Sequence, residues 1–277
     1  MAYRKILTVQ DISCVGQCSL TVALPILSAC GMETCILPSA ILSTHTAGFS
    51  GYTFRDLTDD IPKINEHWQK ENIKFDAIYT GYLGSTKQID YVKDLFYTVA
   101  TDRCLKIVDP AMADGGKLYP AFDEVYVEAM KSLCAEADIL LPNITEACFL
   151  TDSEYKTTYD EKYILDLTNK LIKLGAKTVV LTGVSYRDGK TGIAVGSDNN
   201  YDYYEHDIVS KGCHGTGDVY ASAFVGALMN DKSIFDSAKI AADYVVDCID
   251  VTKDDPDHWY GVKFEAVLPK LIKSLDL

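Results

Sequence analysis

Lys211-Gly212-Cys213-His214-Gly215-Thr216-Gly217-Asp218 is followed at once by an apolar run of helical character over residues 219–229. Glycine tolerates positive φ and carries no Cβ, so a backbone with glycines at 212, 215 and 217 can turn tightly with its N–H groups facing a ligand. A helix opening at Asp218 adds unpaired N–H donors and a partial positive charge, and the stretch reads as a cradle for an anion. An aspartate at the mouth of such a cradle repels the anion. It makes sense there if it takes a proton from a hydroxyl that attacks phosphorus. The same residues also read as a plain glycine turn with Asp218 as an N-terminal helix cap, and the stretch alone does not separate the two.

Working outward, short β-type runs alternate with helical segments. Residues 6–9 read as a strand leading to a loop at Gly16, and 19–29 as an apolar helix stopped at Gly31. Two short strands are expected at 35–37 and 40–42, and others at 77–79, 105–108, 139–141 and 178–181. Helices are expected over 61–71 with Pro62 in the first turn, 86–100 capped by Ser85, 123–134, 145–150, and 160–174 closed by Gly175. Between Ser185 and His206 the turn clusters 187–190 and 197–200 separate short strands, which predicts an antiparallel meander. Helices over 219–229, 235–251 and 264–274 complete the chain. The pattern predicts an α/β fold in one domain over residues 1–277: a mostly parallel sheet, helices on both faces, and the meander as an appendage.

Bulk properties narrow the partners. A net charge of −14 over 277 residues argues against nucleic acid and against an anionic membrane surface, both of which need clustered Lys and Arg. A phosphate substrate would have to be met by local positive field, from backbone N–H groups, a helix end and a metal ion. The nine cysteines are odd in number, show no Cys-x-x-Cys spacing and mostly lie in apolar runs, which reads as reduced thiols with neither disulfides nor a zinc site. The apolar run at 6–9 is too short for a signal peptide and no stretch approaches membrane-spanning length, so a cytoplasmic protein is expected.

Polar residues stand just past several expected strands: Asp11, Asp109, Asn143 and Thr182. In open α/β sheets ligands bind outside the carboxyl ends of the strands, so four such residues together suggest a site, although each alone reads as a cap or turn former. Asp109-Pro110-Ala111-Met112-Ala113-Asp114-Gly115-Gly116 sets two carboxylates on a glycine-rich loop, which suits a hydrated Mg2+ taking few protein ligands. Pro142-Asn143-Ile144-Thr145-Glu146 offers two more oxygen groups at a helix start, or an ordinary cap. Gly183 to Thr191 nearly spells a P-loop. Its first glycine is one residue too distant and it runs into the meander where a P-loop needs a helix, so Asp188-Gly189 reads as a hairpin turn.

With these elements in order, the chain resembles the ribokinase-like superfamily and, within it, the pyridoxal (vitamin B6) kinases over nearly its whole length. The carrying motifs are Gly215-Thr216-Gly217-Asp218, Asp109-Pro110-x-Met112-x-Asp114 and Pro142-Asn143-x-x-Glu146, joined by Ser43-Thr44-His45-Thr46 and Thr80-Gly81-Tyr82-Leu83-Gly84-Ser85. The resemblance implies a three-layer α/β/α sandwich and transfer of the ATP γ-phosphoryl group to the 5′-hydroxymethyl group of a B6 vitamer. Asp218 would be the catalytic base, with the N–H groups of Gly215, Thr216 and Gly217 as the anion hole. Asp109, Asp114, Asn143 and Glu146 would hold Mg-ATP largely through water, with Asp109, Asp114 and Glu146 around the Mg2+ itself. Thr182, Gly183 and Lys211 would line the nucleotide site, and Asp11, His45, Thr46 and Tyr82 the acceptor. The resemblance also implies a homodimer and leaves room for a monovalent cation. Many pyridoxal kinases carry serine where Asp11 stands; a carboxylate there would favour an acceptor with a cationic amine, so pyridoxamine is expected to be used at least as well as pyridoxal. His214 gives a His-Gly-Thr-Gly string like that of hydroxymethylpyrimidine kinases, the alternative within the class. A B6-binding protein without turnover is the alternative outside it. A dinucleotide oxidoreductase is disfavoured because no Gly-x-Gly-x-x-Gly follows the first strand.

Overall fold

Alternate residues of a strand face opposite sides of a sheet, and here both sides are apolar, so helices must cover both. The computed structural model describes residues 3–198, 200–209 and 213–277. In chain order its elements are β1 (Lys5–Ser13), α1 (Leu20–Ala29), β2 (Glu33–Leu42), β3 (Phe54–Asp56), α2 (Ile61–Lys70), β4 (Phe75–Thr80), α3 (Thr86–Thr98), β5 (Ala100–Val108), β6 (Ala113–Asp114), β7 (Lys117–Leu118), α4 (Glu124–Cys134), β8 (Ile139–Leu140), α5 (Ile144–Leu150), α6 (Glu161–Leu174), β9 (Thr178–Val184), β10 (Lys190–Ser197), β11 (Asn200–Asp207), α7 (Thr216–Leu228), α8 (Ile234–Thr252), a 3-10 turn (Phe264–Val267) and α9 (Leu268–Ser274).

One sheet runs in the order β11-β10-β9-β8-β5-β4-β1-β2-β3, and β6 and β7 form a separate ribbon. The inner pairs from β2 through β9 are parallel; β3 and the β9-β10-β11 meander are antiparallel. Leu7, Val9, Ile78, Val108, Leu140 and Val179 join one buried cluster with residues of α2 to α6. Ile6, Tyr79, Ile107, Ile139 and Val180 join the other with residues of α1 and α7 to α9. The result is the expected three-layer α/β/α sandwich with a mostly parallel sheet and an antiparallel meander.

From β1 the chain moves to β2 on one side, then returns to β4 on the other. Such a reversal parts the loops at the carboxyl ends of the two strands and opens a crevice there. The strand ends that meet at this reversal are Asp11 to Ser13 of β1 and the Gly81-Tyr82 segment that follows β4.

Several sequence expectations change. The two short strands at 35–37 and 40–42 are one strand, β2, running through Pro38. The missing N–H of Pro38 is tolerated because the neighbouring β3 pairs only with Ala40, Ile41 and Leu42. Strand β1 continues through Asp11 and β9 through Thr182, so both residues lie within their strands rather than past them. Helix α7 starts at Thr216 with Gly215 at its N-cap, which makes Asp218 a first-turn residue and not the cap. Residues 185–189 form the turn of the meander, as Asp188-Gly189 predicts, with Gly189 at φ 73°.

Gly175 caps α6 at φ 138°, and a Cβ there would stand 2.4 Å from the Ala135 carbonyl oxygen. Gly175→Ala is therefore expected to cost about 1–3 kcal/mol of stability in urea unfolding, whereas an unchanged midpoint would contradict this close approach.

Candidate active site

Helix α7 has its first internal bond from the Val219 N–H to the Gly215 carbonyl at 3.1 Å, so the N–H groups of Thr216, Gly217 and Asp218 have no intrahelical acceptor. Gly215 sits at φ 76°, and a Cβ there would meet the Gln17 carbonyl oxygen at 2.2 Å, so the cradle is pressed against the β1–α1 loop. Gly217 is exposed, with open space around its Cα. The cradle thus keeps one glycine for packing and another for access. Lys211 and Gly212 lie outside the described residues.

Asp218 projects from this first turn and is half-buried. Burial raises its pKa to about 6, the nearby backbone of Ser19 opposes the rise, and the charge of Asp11 adds to it. Across the site, Asp109 continues β5, its N–H donating to the Thr80 carbonyl at 3.1 Å. Its carboxyl is pushed well up by burial and by the charges of Glu146 and Asp218.

Glu146 belongs to the start of α5. Its Oε2 accepts from the Asn143 N–H (2.8 Å), while its own N–H donates to Asn143 Oδ1 (2.9 Å), a complete capping box. Its Oε1 accepts from the Met112 N–H at 3.1 Å, and Asn143 Nδ2 donates to the Ala113 carbonyl at 2.8 Å. Gly116 N–H donates to Thr145 Oγ1 at 3.0 Å. The two acidic motifs are therefore knitted together. Asn143 has its amide committed at both ends and acts as the joint between them. Burial raises Glu146 to about 8 against three opposing backbone hydrogen bonds. Asp114 stays exposed and accepts from the Gly115 N–H at 2.7 Å.

Buried carboxylates that raise one another's proton affinity call for a cation, and the lone pairs left on Asp109 and Glu146 suit metal-bound water. Among the described residues no group of three or more His, Cys, Asp or Glu side chains is placed to hold a metal ion directly. The donor set fits a divalent cation that keeps its own water.

On the acceptor side, Asp11 is buried and its carboxylate is held by hydroxyls: Ser13 Oγ donates at 3.0 Å and Ser19 Oγ at 2.5 Å. Burial raises its pKa despite these bonds. Tyr82 is half-buried, its hydroxyl pushed up to about 12 by burial and then by Asp11 and Tyr52. Its loop is pinned by Tyr126 Oη donating to the Leu83 carbonyl (2.6 Å) and by the Gly84 N–H donating to Gln88 Oε1 (2.7 Å). His45 is buried, with Nε2 on the Tyr260 carbonyl (2.7 Å) and Nδ1 accepting from the Ala47 N–H (3.1 Å). Both nitrogens serve the loop, and the ring packs in a cluster with Phe49 and His214. Thr46 is exposed. Thr182 and Asn143 form an isolated bridge that extends β8 alongside β9, with Gly183 exposed at φ 73°.

The structure also brings in residues the sequence reading passed over. Ser13 and Ser19 hold Asp11. Tyr119 lies where Glu146, Asp109, Asp114 and Asp218 all raise its pKa further, after burial as the main cause. No local pattern marks them. Ser13 and Ser19 stand near Asp11 in sequence but form no motif with it, and Tyr119 meets acids as distant as Asp218.

A doubly wound sheet with an acid and a glycine cradle at a helix start, facing paired buried carboxylates, defines a kinase of ribokinase-like fold. The phosphomethylpyrimidine kinase profile matches residues 27–262, and the chain belongs to that family. Among solved structures, a candidate phosphomethylpyrimidine kinase from Bacteroides thetaiotaomicron is 35% identical in two crystal forms. The rhombohedral form has a TM-score of 0.94 and covers 98% of this chain and 94% of that one. The orthorhombic form, described with pyridoxal, has a TM-score of 0.91 and covers 99% and 96%. Pyridoxal kinase from Lactobacillus plantarum is 30% identical with a TM-score of 0.90, covering 98% and 97%. The thiamine biosynthetic bifunctional enzyme of Arabidopsis thaliana is 26% identical over 203 residues, 69% of this chain but 38% of that enzyme's length. Cys14, Cys18, Cys30, Cys35, Cys104, Cys134, Cys148 and Cys248 are free thiols. Among the described residues no helix is long and apolar enough to cross a membrane.

With a folded value near 6 against an ordinary 3.8, the native Asp218 carboxyl binds its proton more tightly than the unfolded one. Its charge therefore costs stability in full above about pH 6, and that cost fades as pH falls from there and is gone below the ordinary value. Asp218→Asn is expected to raise Tm by on the order of 3 °C near pH 8, with no gain below about pH 4, by calorimetry. An equal gain at both pH values would contradict a buried charge.

Proposed function

We propose that the protein phosphorylates the 5′-hydroxymethyl group of a vitamin B6 vitamer with ATP. The observation that carries this reading is Asp218 in the first turn of α7, beside open N–H groups and near enough to buried Asp109 for the charges of Asp218 and Glu146 to raise its proton affinity. Asp218 takes the proton of the hydroxymethyl group as its oxygen bonds to the terminal phosphorus and the bond to ADP breaks. The N–H groups of Gly215, Thr216 and Gly217 meet the charge on the transferring phosphoryl oxygens. A carboxylate titrating near 6 is ionised at neutral pH, yet basic enough to share a proton in the transition state. Asp109 and Glu146, with exposed Asp114, would hold Mg2+ through water, and the ion would supply charge neutralisation on ATP. Thr182 and Gly183, beside Asn143, would line the nucleotide. Tyr82, Thr46 and the His45 ring would flank the acceptor. A homodimer and a cytoplasmic setting belong to the same reading.

The B6 assignment is supported by the 35%-identical structure described with pyridoxal and by the 30%-identical pyridoxal kinase. The family profile and relatives named hydroxymethylpyrimidine/phosphomethylpyrimidine kinase support hydroxymethylpyrimidine as the second reading. Asp11 favours an amine-bearing vitamer, since hydroxyls and not a cation hold its carboxylate.

An ADP-release assay across pyridoxal, pyridoxine, pyridoxamine and hydroxymethylpyrimidine separates these. A B6 vitamer is expected to lead in kcat/KM by about tenfold or more. A lead for hydroxymethylpyrimidine reverses the assignment, and absence of turnover leaves the binding-protein reading. Asp218→Asn is expected to lower kcat by about 10² to 10⁴-fold with the KM for ATP nearly unchanged. Asp11→Ser is expected to lower the preference for pyridoxamine over pyridoxal, and an unchanged ratio discards the amine role.

A further inference from the structure

Between α8 and the 3-10 turn the chain runs as a closed loop whose two ends are bonded to each other. The Lys263 N–H donates to Thr252 Oγ1 at 2.9 Å, eleven residues away in sequence, and Lys263 Nζ donates to Asp255 Oδ2 at 2.5 Å. A compact loop with joined ends, an Ω-loop, presents its tip as one piece. Here the tip is three rings in succession, His258-Trp259-Tyr260, followed by Gly261. All four are seated on the loops at the crevice edge. His258 Nε2 lies 2.8 Å from Gln17 Oε1, while Gln17 Nε2 donates to both carboxylate oxygens of Glu265 at 2.9 Å. A Cβ on Gly261 would stand 2.8 Å from the Gln17 side chain, and the Gln17 carbonyl in turn abuts Gly215 of the cradle. The Trp259 ring packs on Phe49 with centroids 4.7 Å apart and covers Gly48, where a Cβ would meet it at 2.7 Å. The Tyr260 carbonyl bonds His45 Nε2 at 2.7 Å.

The last contact fixes the state of His45. A carbonyl can only accept and a backbone N–H can only donate. Nε2 therefore carries a hydrogen for Tyr260, and Nδ1 must be bare to accept from the Ala47 N–H at 3.1 Å. The ring is neutral, with its proton on Nε2. Burial, the leading cause, also lowers its pKa. The ring has no room to exchange its nitrogens, because a Cβ on Gly16 would stand 2.0 Å from His45 Cδ2. From Trp259 the ring contacts continue through Phe49 to His45 (5.0 Å) and on to His214 (5.6 Å), the residue before Gly215.

We infer that this loop positions the acceptor side of the crevice from the far end of the chain: the Tyr260 carbonyl holds His45 as the neutral ring protonated on Nε2, and Trp259 is the positioning residue that keeps Gly48 and Phe49 in place beside it. The effect on acceptor binding rests on the proposed kinase reading; the state of His45 does not. Trp259 acts through the 43–49 loop that carries His45 and Thr46, so its influence falls on the acceptor and not on the nucleotide. It stands at the loop tip, partly exposed and outside both buried clusters, so replacing it leaves the sheet and its helices packed.

Trp259→Ala, assayed with whichever B6 vitamer or hydroxymethylpyrimidine the wild type uses best, is expected to raise the KM for that acceptor by about threefold to tenfold. That is the scale of a lost aromatic contact, and kcat and the KM for ATP should stay within about twofold. Trp259→Phe keeps a ring against Phe49 and should bring the acceptor KM back to within about twofold of the wild type. An unchanged acceptor KM in Trp259→Ala, or an equal rise in the KM for ATP, overturns the positioning role. A second measurement needs no turnover: nitrogen NMR of the labelled wild type at neutral pH should find the His45 proton on Nε2 and Nδ1 bare. A proton on Nδ1, alone or together with one on Nε2, overturns the assignment. If the wild type phosphorylates no acceptor, the proposed function fails, and the His45 resonances alone still decide whether the loop orients that ring.

Discussion

The reversal of strand order between β1 and β4 is the constraint on which the rest depends. Two neighbouring parallel strands whose connections depart in opposite directions cannot have their carboxyl ends covered by the same loop, so a crevice opens there. Into it the sheet delivers Asp11 from β1, Gly81 and Tyr82 after β4, and Asp109 after β5. Helix α7 belongs to the layer on one side of the sheet and brings its amino end, with Asp218, to the same edge. The site is thus where one fold property, the switch in direction, meets one local property, a helix start rich in glycine.

The electrostatics of that edge run against stability. Asp11, Asp109, Glu146 and Asp218 are all shifted toward the protonated form, with burial the leading cause in each. A chain with net charge −14 has collected four acids where solvent cannot screen them. Structural acids are normally paired with Lys or Arg, and this protein does so on its surface, as with Lys177 on Asp138 at 2.6 Å. At the crevice the donors are hydroxyls and backbone N–H groups, which hold a carboxylate in place without cancelling its charge. Acids left uncancelled at a cleft are the mark of groups whose charge is used.

What could be read in advance follows the range of the forces involved. Asn143-x-x-Glu146 is a capping box spelled within four residues, and the Gly215-Thr216-Gly217-Asp218 turn is equally local, so both were legible. Strand limits were less so. Pro38 interrupts the β-type run in β2 although its missing N–H has no partner to lose, and the polar Asp11 and Thr182 look like strand exits although the ladder continues through them. Strand β3 is three exposed residues with no apolar face to announce it. That both ring nitrogens of His45 answer to Tyr260 and Ala47 is visible only in the folded loops.

Gly215 seated on the Gln17 carbonyl also bears on how the molecule comes into being. The cleft is stitched from an early loop and a late helix, with most of the polypeptide threaded between them. Closing so distant a pair is entropically slow and rewards only a chain whose intervening sheet is already in place. During synthesis the early acid, Asp11, therefore waits beside an unfinished edge, and chemistry becomes available only when the last third of the chain has docked.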